Sequence, residues 1–107
     1  MIMQRNEKKW RLPTISELHA VFNYNKGRSK IGGFLPNGYW SATKYKKHID
    51  NVWTVDFDDG YTYSARKVYK RHVRCVRENS NGKLEWSKSS NESMTWDTAC
   101  KYCEGLN

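Results

Sequence analysis

Trp10-Arg11-Leu12-Pro13-Thr14, followed at once by Ile15-Ser16-Glu17-Leu18, decides how the rest of the chain is read. Pro13 has no backbone N–H and a fixed φ, so it ends whatever precedes it and favours a helix start. Thr14 is a suitable N-cap and Glu17 stands three residues later, which is the capping-box spacing. Ile15, Leu18, Val21 and Phe22 then recur with a 3.6-residue period and predict a short helix with one apolar face. Arg11 sits between two apolar neighbours. A guanidinium there has five N–H donors and can satisfy several carbonyls, so Arg11 is expected to be partly buried and to organise loops.

Outward from this point the chain alternates between polar loops and short aromatic segments. Residues 1–9 are polar and charged and are expected to be a loose lead. Residues 23–38 hold Gly27, Gly32, Gly33, Pro36 and Gly38 and read as one long loop. Tyr39 to Thr43 is rich in strand formers, with Trp40 at its centre. Lys44 to Asn51 is polar and reads as a loop. Val52 to Phe57 alternates, which puts Trp53, Val55 and Phe57 on one face and Thr54 and Asp56 on the other. Asp58-Asp59-Gly60 is a hairpin turn signal, Tyr61 to Ala65 returns along it, and Val73 to Arg77 is a further strand. Asn79 to Lys83 reads as a linker. Leu84 to Trp86 is a short strand. Thr95 is then placed to cap a second helix whose core stripe is Trp96, Ala99, Cys103 and Leu106, stopped near Gly105. The fold class is α+β, with two short helices packed on a small antiparallel, aromatic-rich sheet, in a single domain over 1–107 with its main body at 10–78.

Composition points the same way. Of 107 residues, 37% are hydrophobic, yet five are Trp and seven Tyr. A few large rings must supply the core, because each buries much area. Net charge is +8, and it is uneven: 16 basic against 7 acidic side chains over residues 1–78, then 3 against 4 over 79–107. Such a basic body attracts polyanions, whether nucleic acid, anionic polysaccharide or an anionic envelope. No run is long and apolar enough to span a membrane. Met1 to Arg5 lacks the apolar core of a signal peptide, so the chain is read either as cytosolic or as part of a longer secreted parent.

Chemistry is sparse. No Gly-rich phosphate loop or nucleophile elbow is present, and no catalytic residue is assigned. His19, His48 and His72 are scattered and read as surface or satisfied side chains. His72/Cys75 and Cys100/Cys103 have zinc-like spacing, but His72 and Cys75 fall on opposite faces of a strand. Asp56, Asp58 and Asp59 do not have calcium-loop spacing and read as turn residues. No cofactor, zinc or calcium included, is therefore read. Two segments interleave rings with cations: Lys44-Tyr45-Lys46-Lys47-His48 and Arg66-Lys67-Val68-Tyr69-Lys70-Arg71-His72. Rings stack on sugars or bases while cations pair with anions. The candidate ligand contacts are Lys44, Tyr45, Lys46, Lys47, Lys67, Tyr69, Lys70 and Arg71. The framework residues are Arg11, Thr14, Glu17, Trp40, Trp53, Phe57 and Trp96.

The Arg-Leu-Pro-Thr string with Glu17-Leu18, Tyr39-Trp40-Ser41-Ala42-Thr43, Trp53-Thr54-Val55-Asp56-Phe57 with Gly60, and Val73-Arg74-Cys75-Val76-Arg77 resemble, in order and spacing, the Lcl C-terminal family of bacterial domains. That family is similar to the C-type-lectin-like and formylglycine-generating-enzyme superfamily. The resemblance implies a lectin-like fold, a disulfide between Cys75 and Cys103 with Cys100 left over, a place in a longer cell-surface protein, and a sulfated-glycan ligand. The rival reading of the cysteines is three free thiols in a reducing compartment. Segments like 84–86 and 94–103 precede the Arg-Leu-Pro-Thr string in the family, and here they follow it. The chain is then a permuted domain, a cut from a tandem array, or a homodimer that exchanges residues 84–107. Partners to be weighed are an anionic glycan or a surface protein first, a structural repeat without a ligand second, and nucleic acid third.

Overall fold

The computed structural model describes residues 8–107. In chain order it contains α1 (Ile15–Ala20), β1 (Phe22–Asn23), β2 (Arg28–Ser29), β3 (Gly38–Lys44), β4 (Asn51–Asp56), β5 (Thr62–Arg66), β6 (Arg74–Glu78), β7 (Leu84–Ser89) and α2 (Trp96–Glu104). The class is α+β. The single sheet expected from the sequence is instead three small antiparallel ones, β1–β2, β3–β4–β5 and β6–β7.

The β3–β4–β5 sheet is the centre, and both of its faces are covered. On one face Tyr39 and Val55 join Leu18 of α1, Phe22 and Phe57. On the other, Trp40, Val52 and Ala65 join Leu12, Val73, Cys75 and, from α2, Ala99 and Cys103. The expected alternation of β4 holds. Thr54, on the face opposite Val55, is fully buried. Its hydroxyl donates to the Tyr63 carbonyl at 2.8 Å, which removes the cost of burying it. Trp53, expected as a framework residue, is half-buried at the rim, edge-on to Tyr45.

The opening stretch is a strap between sheets. Arg11 exchanges both backbone hydrogen bonds with Val76 of β6, and Lys8 donates to the Glu78 carbonyl. The strap continues to β3, where the Pro13 carbonyl accepts from Ala42 and Thr43 Oγ1 accepts from the Ile15 N–H. The end of the lead is therefore held rather than loose; residues 1–7 lie outside the described residues. Thr14 and Glu17 form the reciprocal capping box. Arg11 differs from expectation: its one side-chain-to-carbonyl bond is to adjacent Leu12, and its main partner is Glu17, a bidentate pair at 2.8 and 2.9 Å. That pair holds the Glu17 carboxyl below the usual carboxylate range.

The second helix closes the other face. Trp40 is fully buried, and its indole N–H donates to the Met94 carbonyl at 2.7 Å. The Trp96 indole donates to the Ser41 carbonyl at 3.0 Å. A buried ring of this size removes roughly 150–250 Å² from water, worth about 4–6 kcal/mol at about 25 cal/mol per Å². The disulfide Cys75–Cys103 ties β6 to α2 across 28 residues. Cys100 is free and half-buried, and burial, with Asp97 and Glu104 adding, pushes its thiol up.

Four expectations near the chain's irregular parts are corrected. Residues 23–38 begin with the small hairpin β1–β2, whose turn needs Gly27 at φ 68°. Lys44 belongs to β3, which carries a register shift between Trp40 and Lys44, where the Ser41 hydroxyl both donates to Trp53 O and accepts from the Thr43 N–H. Thr95 stands at the N-cap of α2 without capping, since its hydroxyl turns to Thr98. Leu106 is 42% exposed, because α2 stops at Glu104 and the periodic stripe stops with it. The tail nevertheless returns to the strap within the same chain: Asn107 Oδ1 accepts from the Trp10 N–H at 2.7 Å, and Asn107 Nδ2 donates to the Trp10 carbonyl.

Candidate functional site

Register decides where the two basic–aromatic segments lie. Lys44 pairs with Val52, Val52 with Ala65, and Asn51 with Arg66. The end of β3, the start of β4 and the end of β5 therefore share one end of the sheet. The Lys67 N–H donates to the Asp50 carbonyl and joins the two loops there. Lys44, Tyr45, Lys46, Lys47 and Lys67 are thus brought together. Lys46 and Lys47 are exposed, while Lys67 lies over the Trp96 ring at 5.0 Å.

Tyr69, Lys70 and Arg71 are not part of that tip. After Lys67 the chain turns and runs back beside β3. His72 donates to Gly38 O and accepts from the Trp40 N–H, while Arg71 exchanges both backbone hydrogen bonds with Met94. This places Lys70 and Arg71 at a separate cavity of about 280 Å³, lined also by Asn37, Gly38, Tyr63, His72 and Ser93. The eight predicted contacts divide into a lysine tip and a pocket. Tyr63, Asn37 and Ser93 were missed, and they come from three other parts of the chain, which no local motif joins. Exposed Tyr61, lying near-parallel to Tyr63 at 5.8 Å, extends the aromatic surface beside it.

The histidines divide as well. His19 Nε2 is satisfied at 2.6 Å from Thr62 Oγ1, and His48 is exposed. His72 departs from the expectation of a satisfied or surface side chain. Its Nε2 lies 3.4 Å from Asn37 Nδ2, and its buried Nδ1 has no partner.

Sequence reading also missed Arg74. It is 9% exposed and lies over Phe34 at 4.6 Å and Trp86 at 5.8 Å. Its Nε donates to Ser87 O at 2.5 Å and its Nη1 to Gly32 O at 2.7 Å. Burial pushes its pKa below the ordinary arginine value. The carbonyl-organising guanidinium expected at Arg11 is at Arg74. A second cavity of about 460 Å³, lined mainly by apolar groups, lies between the strap and α2, and Trp10, Leu12, Ala42 and Cys100 line it.

No curated protein and no solved structure matches this chain. The model of the Lcl C-terminal domain matches residues 3–77 and ends with the Val73–Arg77 string, short of β7 and α2. That match spans most of the length, and the chain belongs to the Lcl C-terminal domain family.

Proposed function

We propose that this domain is a non-catalytic binding module with a C-type-lectin-like fold, displayed as part of a bacterial surface protein, and that its ligand is an anionic glycan. The observation that carries the reading is the lysine tip, where two segments remote in sequence meet through the Lys67–Asp50 hydrogen bond. Clustered cations attract a polyanion through summed fields, and the half-buried rings of Tyr45 and Trp53 lie at the same end of the sheet. Among the described residues, no cluster of His, Cys, Asp and Glu is arranged to hold a metal, and the cysteine nearest a cavity, Cys100, has its thiol pushed away from the reactive thiolate.

The test is retention on immobilised heparin against salt. Changing Lys44, Lys46 and Lys47 together to Ala is expected to move elution to clearly lower salt. An unchanged elution position sinks the reading. Nucleic acid is the rival polyanion, and tight, salt-steep binding to single-stranded DNA with none to sulfated glycans would decide for it.

A further inference from the structure

Four arginines of the described residues are held in fixed positions, and three of them are used up by the fold. Arg11 is paired with Glu17, Arg77 with Glu85, and Arg74 is buried, donating to two carbonyls. Arg71 is held just as firmly, but by neutral groups. Its Nε donates to the Tyr63 hydroxyl at 2.9 Å, its Nη1 donates to the Lys70 carbonyl at 2.7 Å, and its guanidinium lies 5.5 Å from the Tyr63 ring and 5.8 Å from the Tyr69 ring. Among the described residues no carboxylate is within ion-pair distance of Arg71 or of neighbouring Lys70. The fold orders a cation without neutralising it.

The surroundings are built around that cation. Gly38 is the floor: a Cβ there would lie 2.6 Å from the Tyr63 hydroxyl and 2.9 Å from Arg71 Cδ. The absence of a side chain is what lets both groups reach the cavity. Tyr63 accepts from Arg71, so its own hydroxyl hydrogen remains to be donated. Arg71 Nη2, the Lys70 ammonium and the Ser93 hydroxyl add further donors, and no carboxylate lines the wall. At about 280 Å³ the cavity is at the small end of ligand sites, which run from about 300 to 1,000 Å³. It suits one charged group on one ring rather than a length of polymer. The exposed faces of Tyr61 and Tyr69 flank it, 66% and 51% accessible.

We infer that the Arg71–Tyr63–Lys70 pocket is a seat for a single oxyanion group (carboxylate, sulfate or phosphate ester) carried on a sugar ring. The inference rests on the glycan reading above and sharpens it. The lysine tip attracts a charged chain without geometric demand, whereas the pocket reads one group through the fixed fork of Arg71.

Backbone amide shifts of the full chain can be followed by NMR while glucuronate, glucosamine 6-sulfate, glucose 6-phosphate and neutral glucose are each added. Saturable shifts at Gly38, Tyr63, Arg71 and Ser93 are expected for at least one charged sugar and not for glucose, and the strongest of the three identifies the oxyanion. Arg71→Ala is expected to weaken that binding roughly 10–100-fold, the usual loss of hydrogen bonds to a charged group. Arg71→Lys, which keeps the charge and loses the fork, and Tyr63→Phe, which removes one hydroxyl, should each weaken it too and guard against a misfolded alanine variant. Equal binding of glucose, no saturable shift with any charged sugar, or undiminished binding in Arg71→Lys and Tyr63→Phe overturns the pocket. The two readings fail separately. Heparin retention that depends on Lys44, Lys46 and Lys47 while charged monosaccharides ignore Arg71 removes the pocket alone. Charged monosaccharides bound through Arg71 with heparin indifferent to those lysines removes the lysine tip alone.

Discussion

Arg74 and Arg71 sit three residues apart and are built alike: each guanidinium lies against two rings, Phe34 and Trp86 for one, Tyr63 and Tyr69 for the other, with Nε fixed by an oxygen. They differ in what closes the remaining side. Over Arg74 the chain itself does so, with the Gly32 carbonyl and the backbone at Gly33, where even a Cβ would come within 3.1 Å of the guanidinium. Beside Arg71 there is an open cavity. The same arrangement serves as a brace where the chain covers the guanidinium and as a receptor where it leaves one side open. Each arginine makes two hydrogen bonds to the protein, so the difference lies in access to the donors that remain.

The sharpest way to break this contrast is Arg74→Ala. It leaves two carbonyls without partners, at about 1–3 kcal/mol each, and strips packing from two rings, so a loss of about 3–5 kcal/mol is expected in urea denaturation. Arg71→Ala should cost no more than about 1 kcal/mol, as expected where the groups left behind stay in water. Equal losses for the two would erase the distinction. Next in size is the bridge beside Arg74. Cys75→Ser with Cys103→Ser opens a loop of 28 residues' separation, worth about 3–4 kcal/mol by loop entropy. That loss should add to that of Arg71→Ala, and fall short of adding to that of the adjacent Arg74→Ala, in a double-mutant cycle.

Glycine replacement sharpens the comparison at smaller cost. Gly33 has φ 95°, so Gly33→Ala forces a side chain into a strained backbone and against Arg74. A loss of about 1–3 kcal/mol, read as a lower thermal midpoint, is expected. Gly38 has no such backbone restriction, and Gly38→Ala should show mainly as lost charged-sugar binding.

The smallest effect is acidification. The carboxyl of Glu17, depressed first by its Arg11 hydrogen bond, binds its proton less readily in the folded chain than in the unfolded one. Its contribution is therefore complete above the unfolded value of about 4.3 and is lost as pH falls through the lower folded value. Glu17→Gln should flatten the stability decline over that acid range. Sugar binding by Arg71, which has no carboxylate partner in the protein, should fall there only as the sugar's own oxyanion is protonated.

How much of this could be read in advance follows the range of each interaction. The capping box of Thr14 and Glu17 was legible, because its geometry is contained in four residues. So were the β4 faces and the Asp-Gly turn, where Gly60 holds φ 82°. The burial of Thr54 was not, because the element that seals its face, α2, lies some 40 residues further on. Arg74 was invisible for the same reason: its acceptors are 42 and 13 residues away. Two of the pocket's seven lining residues were legible as ligand contacts, since Lys70 and Arg71 stand in an evident basic–aromatic run. Asn37, Gly38, Tyr63 and Ser93 carried no local signal. The Cys75–Cys103 pairing came from likeness to a family, not from spacing.

That bridge has a kinetic side. One of its sulfurs lies within the family-matching stretch and the other in the segment beyond it. Once it closes within a chain, residues 84–107 cannot leave for another copy without a reductant, however long the protein waits or however concentrated it becomes. If it closes between chains, the exchanged pair is equally trapped. Whether the protein is found as one chain or two then records which event came first, docking of the tail or oxidation, and a sample refolded under reductant before air is admitted need not match one oxidised as it folds.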